Sequence, residues 1–183
     1  MSVTPAACLA RSGIRLYTRP VDRAAVVEAG AAIARSAGIE GVGVRPVAGR
    51  LGVTPMALYR HVDDAADLRA AVVARALEEV PDVPAEGPWD LRCRTWAHGT
   101  RAVVAGVPGL ARLVLLDWTR HPRLLVVVDR LATMLAEDGP DGVDPLAGAN
   151  AVFTYVLARA QAEETVRVGG VERPLAALDA LAD

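Results

Sequence analysis

The stretch GVTPMALYRHVDD, residues 52–64, sets Tyr59, Arg60 and His61 in a row, four residues after a proline. Buried, each of these side chains would need a partner for its polar tip. Exposed, they offer a planar cation able to make two parallel hydrogen bonds, flanked by two ring donors. That is the chemistry of recognition. Bond-making chemistry has little support elsewhere in the chain. No Ser-His-Asp order or paired-carboxylate spacing stands out, and with no lysine anywhere a Walker A phosphate loop is excluded. His61, His98 and His121 are scattered without an i, i+4 pair, and Cys8 and Cys93 lie far apart, so no metal knuckle or disulfide framework is expected. No catalytic residue, metal or cofactor is expected.

Composition agrees with a recognition protein. The 183 residues are 52% hydrophobic, enough to bury a core. All 20 basic residues are arginine, which with the heavy use of Ala, Val, Gly and Leu reads as the mark of a G+C-rich genome. The net charge of −2 conceals an asymmetry. Residues 1–62 carry eight arginines against Asp22, Glu28 and Glu40, whereas the remainder carries twelve arginines against nineteen acids. A basic head on an acidic body suits contact with a polyanion at one end. Apolar runs such as LLVVV (124–128) fall far short of the roughly 20 residues a membrane span needs. The first twenty residues lack an apolar signal-peptide core, so a reducing cytoplasm is the expected location and no membrane partner is expected.

The elements that must position the trio are helical. Residues 1–20 read as a loose basic arm, with Arg11, Arg15 and Arg19. Asp22 can cap a first helix of about 15 residues that Gly38 ends. VRPVAGRL (44–51) spaces Val44, Val47, Ala48 and Leu51 for a second helix, stopped by Gly52. Thr54 can cap a third helix, PMALYRH, of about seven residues, with Pro55 at its first position and Leu58 and Val62 facing inward. Asp63 and Asp64 supply a cap for a fourth helix. The proline-rich stretch 81–88 reads as a linker. Beyond it the spacing predicts helices over about 88–107, 108–118, 122–137 and 145–167, with a short one near 173–182. No stretch alternates as a strand does. The expected fold is all-α: a helix-turn-helix head over 21–80, and a helical body over 89–183.

The run from about residue 19 to 72 resembles the DNA-binding head of the tetracycline-repressor (TetR) family of bacterial transcription regulators. The resemblance is carried by VAGRLGVTPMALYRHV (47–62), against the pattern Val/Ile-Ala-x-x-Leu-Gly-Val-x-x-x-x-Leu-Tyr-x-His-Val/Phe. It implies that Tyr59 and His61 contact phosphates, and that Pro55, Met56, Ala57 and Arg60 face base edges, with Thr54 at the helix entry. Arg45, opening the second helix, is implied as a phosphate contact. Two departures stand out. Ala65 occupies the position where the family commonly carries a lysine, behind Asp63 and Asp64, and Gly43 replaces a small hydroxyl cap. Weaker non-specific affinity for DNA is the expected consequence.

The resemblance also implies a helical C-terminal part that binds a small effector and dimerises. Trp89 and Trp96 lie one heptad apart, and with Trp118 and Phe153 they suit either an ordinary core or a pocket for a hydrophobic or amphipathic effector. Thr100, Asn150 and Thr154 are the polar candidates for orienting such a ligand, with His98 and Arg94 behind them. The small-residue helix 145–167 is the candidate for a homodimer interface through Leu146, Ala149, Phe153, Val156, Leu157 and Ala160. The expected function is an effector-released repressor that binds a near-palindromic double-stranded operator as a dimer. A helical small-molecule-binding or adaptor protein with an unused head is the alternative, resting on Asp63, Asp64 and Ala65.

Overall fold

Residues 21–169 are described in a computed structural model; the expected arm over 1–20 and the short helix near 173–182 lie outside the described residues. Eight α-helices and no strand occur among the described residues. The head comprises α1 (Arg23–Ala37), α2 (Val44–Leu51), α3 (Pro55–Leu58) and α4 (Ala65–Leu77). The body comprises α5 (Trp89–Ala105), α6 (Leu110–Asp117), α7 (Pro122–Asp138) and α8 (Pro145–Gly169).

Local chemistry sets the ends of the head helices. The Asp22 carboxylate accepts from Ala25 N at 2.7 Å to open α1, and Gly38, at φ +77°, closes it. Small residues then let α1 and α4 approach closely: a Cβ on Gly30 would lie 2.5 Å from Val72 Cγ2. Gly52 adopts the left-handed conformation at φ +68° that ends α2, and Val53 N donates back to Ala48 O. Asp64 caps α4, accepting from Ala66 N at 2.7 Å and Asp67 N at 2.8 Å.

Two expectations about α3 need correction. It is a single turn of four residues rather than seven, and the chain continues through Tyr59, Arg60 and His61 as turn. His61 N and Val62 N both donate to Leu58 O, which carries the turn onward without a full helical ladder. Thr54 holds the N-cap position, but its side chain makes no capping bond. The proline at the first helical position has no N–H to cap, which removes part of the need.

The stretch expected as a linker is tied down on both sides. Asp82 accepts from Arg123 at 2.9 Å and pairs with Arg130, Arg123 donates to Val80 O at 2.6 Å, and Arg92 donates to Pro84 O at 2.7 Å. Val80 itself is buried.

In the body, α8 packs against α5, α6 and α7. Its inner stripe is Ala149, Phe153, Val156, Leu157 and Ala160, each at most 3% exposed. This corrects the expected dimer interface. The stripe is consumed inside one chain, because three neighbouring helices need a common apolar face and this is the one α8 has. Of the expected interface residues only Leu146 is exposed.

Candidate nucleic-acid interface

The second element of the helix-turn-helix is fixed from behind. Leu58 and Val62 are buried in the head core, so everything between them and around them is oriented by two apolar anchors. Thr54, Pro55, Met56, Tyr59 and Arg60 are exposed, Met56 by 75% and Tyr59 by 50%, while Ala57 and His61 are half-buried. An apolar side chain as exposed as Met56 gains nothing from the folded chain itself. Thr54, Met56, Ala57, Tyr59 and Arg60 line one shallow surface cleft of about 420 Å³. Of the residues expected to face base edges, the cleft brings together Met56, Ala57 and Arg60, with Tyr59 beside them and Pro55 outside its lining. Arg45 is exposed at the start of α2.

The charge pattern separates this face from the rest. Most arginines of the body are paired, as in Arg92–Asp138 at 2.8 Å and Arg101–Glu163 at 2.7 Å. Arg45, Arg50 and Arg60 form no ion pair among the described residues. Arg50, exposed just before the Gly52 turn, was not picked out by the motif. Its signal in the sequence was only its place in the basic third of the chain.

Arg23 is a further residue that the spacing did not reveal, since its partners lie 38 and 44 positions away. Its guanidinium grips Asp67 through two bonds of 3.0 and 3.2 Å and donates to the backbone carbonyl of His61. One cation of α1 thus joins the end of the recognition turn to the first turn of α4. Asp67 also accepts from Asp63 N at 3.0 Å. The hydrogen bond from Arg23, aided by that backbone N–H, holds the Asp67 carboxyl below its usual range. Of the acids after α3, Asp64 is therefore engaged by backbone N–H groups and Asp67 by Arg23, while the exposed Asp63 side chain adds its charge to the surroundings of Arg23.

The candidate effector residues divide. Phe153 contacts two tryptophans, its ring centroid 6.3 Å from Trp96 and 5.3 Å, edge-on, from Trp118. Trp96, Thr100 and Phe153 are fully buried. Trp89 is half-buried at the start of α5 and packs on the core, and Asn150 is half-buried on α8. Thr154 is exposed on the outer face of α8, which sets it apart from the aromatic cluster and corrects its assignment. His98 and Arg94 are also exposed, Arg94 pairing with Asp90 at 2.6 Å. Burial raises the Cys93 thiol above its ordinary value. No group of three His, Cys, Asp or Glu side chains among the described residues could hold a metal ion.

The curated relative, the HTH-type transcriptional repressor DrrR1 of Streptomyces coeruleorubidus, is 34% identical over 127 residues, 69% of this chain and 42% of the relative. ActR of Streptomyces coelicolor, solved in complex with actinorhodin, superposes with a TM-score of 0.66 at 24% identity, over 81% of this chain and 71% of ActR. BioQ, solved with its double-stranded DNA operator, gives a TM-score of 0.63 at 25% identity, over 81% of this chain and 93% of BioQ. The chain has the fold of TetR-family regulators, to which these structural neighbours belong. No family model matches the chain. The chain spans 42% of the length of this curated relative, so the likeness to DrrR1 describes a part of that protein. Among the described residues no single helix is long and apolar enough to cross a membrane.

Proposed function

We propose that the chain is a ligand-responsive transcriptional repressor that binds a double-stranded operator as a homodimer. The observation that carries this reading is the exposed, acid-free face of Met56, Tyr59 and Arg60 around one cleft, backed by the buried Leu58 and Val62. A helix-turn-helix delivers such a face to the major groove, and Arg60 then gives a bidentate contact to guanine. Thr54, Pro55, Met56 and Ala57 meet neighbouring base edges, with Tyr59, His61 and Arg45 on phosphates and Arg50 adding to the cationic field. Residues 21–80 act as the reading head and 89–183 as the effector-binding and dimerising body. BioQ with operator DNA and ActR with actinorhodin support both partners by likeness.

Dimerisation uses the outer face of α8. With the inner stripe occupied, Tyr155, 58% exposed, is the large apolar side chain that faces away from the chain's own core, on one face with the exposed Ala151 and Ala158. The two heads then address half-sites about 34–36 Å apart, one helical turn of DNA. A cytoplasmic location and the absence of a catalytic role belong to this reading.

Selection of bound sequences from a random DNA pool, followed by mobility shift on the recovered site, tests the proposal. A near-palindromic consensus is expected, bound with an affinity that falls steeply with salt. Recovery of no consensus, together with salt-independent binding, overturns it.

A further inference from the structure

The aromatic cluster of the body holds two hydrogen-bonding atoms without a partner among the described residues, Trp96 Nε1 and Thr100 Oγ1. Their side chains are at most 1% exposed, so water does not reach them from the surface. They stand at i and i+4 of α5, one turn apart on one face, with Cβ atoms about 5–6 Å apart in such a pair. The indole N–H only donates, and the threonine hydroxyl is free to donate. Two buried donors on one face ask for an acceptor. A carbonyl oxygen, with two lone pairs, is the compact group able to serve both.

The neighbouring rings define what must carry that oxygen. Phe153 meets Trp96 in a tilted contact at 6.3 Å and Trp118 edge-on at 5.3 Å. Trp118 is half-buried and stands in the single 3₁₀ turn Trp118–Arg120 between α6 and α7. That turn is held by local bonds: His121 N to Trp118 O at 3.0 Å, Thr119 to Asp117 at 3.4 Å, and the Arg120–Asp117 pair. Half-buried and carried on a three-residue turn rather than inside a long helix, the Trp118 ring is the member of the cluster that leaves with the least disturbance of packed helix. The cluster itself contributes no charged side chain, so a buried anion there would lack compensation.

We propose that the effector is a neutral, planar aromatic carbonyl compound. Its ring takes the place of Trp118 against Phe153, and its oxygen accepts from Trp96 Nε1 and the Thr100 hydroxyl. This rests on the reading of the chain as a ligand-responsive regulator. It adds the chemical class of the ligand and the two atoms that select it.

A matched pair of probes tests it on the full chain: 9-fluorenone, and fluorene, which has the same ring frame with a methylene in place of the carbonyl. Equilibrium dialysis of the wild-type protein is expected to show 9-fluorenone bound at least about tenfold more tightly than fluorene. Thr100→Val and Trp96→Phe are each expected to reduce that preference severalfold. The ligand-free thermal midpoint of Thr100→Val is expected to stay level or rise, because the isostere removes an unpaired hydroxyl rather than a satisfied one. Equal binding of the two probes, binding of neither, unchanged preference in both variants, or a lowered midpoint for Thr100→Val overturns the proposal. Mobility shift of the ligand-free protein on its selected operator is read separately. Its failure counts against the regulator reading, and the dialysis result then still decides the ligand site.

Discussion

Ile39 N donates to Pro108 O at 2.9 Å, joining the turn after α1 to the loop between α5 and α6. Beside it, Glu164 of α8 accepts from Gly109 N at 2.8 Å, at the residue that caps α6, and Arg112 of α6 pairs with Glu40. The body thus touches the head at the N-terminal end of α6, and α8 holds that end from the other side. On the proposed binding mode, a shift of α6 caused by a ligand at Trp118 would pass to Ile39 through these contacts.

Glu164→Ala is therefore expected to cost about 0.5–2 kcal/mol of stability, the scale of a lost helix N-cap partner. It should also weaken release of the operator by ligand while leaving ligand-free operator affinity close to the wild type. Chemical denaturation and mobility shift with and without ligand measure the two effects. Full ligand response in the variant would show that this contact plays no part in coupling.

Arg60→Ala is expected to lower affinity for the selected operator by about 1–3 kcal/mol, with little change on unrelated DNA. Arg45→Ala and Arg50→Ala should instead weaken binding on every sequence and reduce the salt slope by about one each. Competition titrations at several salt concentrations distinguish these patterns.

The Arg23–Asp67 contact carries an acid-sensitive contribution to stability. Asp67 has its folded pKa depressed by the hydrogen bond from Arg23, so the contribution is complete above the unfolded value of about 4 and is lost as pH falls through the lower folded value. Asp67→Asn should flatten the loss of stability below about pH 4, and Arg23→Ala should flatten it likewise. Because Arg23 also holds the His61 carbonyl, Arg23→Ala should weaken operator binding more than Asp67→Asn does at pH 7. Thermal melts across pH, paired with binding at pH 7, check both statements.

On α8 the two faces should answer differently to substitution. Tyr155→Glu is expected to give a folded monomer, because its side chain meets solvent in the isolated chain. Leu157→Ala, 1% exposed, is expected to destabilise by about 2–5 kcal/mol whatever the oligomeric state. Light scattering and circular dichroism separate the outcomes; a dimeric Tyr155→Glu protein would place the interface elsewhere.

Close packing of α1 on α4 makes Gly30 intolerant. Gly30→Ala would bring a Cβ to 2.5 Å from Val72 Cγ2 and should destabilise by about 1–3 kcal/mol through overpacking, despite the better helix propensity of alanine. Val72→Ala in the same chain should relieve part of that loss. Denaturant midpoints of the single and double variants measure the coupling.

The amino-acid sequence by itself determined the helical class, the caps at Asp22 and Asp64, the stops at Gly38 and Gly52, and the short segment that presents Met56, Tyr59 and Arg60. All of these are local: a cap reaches three residues along the chain, and an apolar anchor such as Leu58 is set by its spacing from Val62. Tertiary structure alone decided the remainder. Periodicity identified the apolar stripe of α8 but could not say whether it met a second copy or the chain's own α5, α6 and α7, since both need the same small, apolar face. The same limit hid Arg23, whose partners are distant in sequence, and shortened α3, because the packing of Leu58 and Val62 is satisfied by one helical turn and the bend that follows it. Which aromatic side chains meet was likewise a matter of three helices converging: Phe153 joins Trp96 and Trp118 across 57 and 35 residues of chain only once α8 lies against α5 and α6.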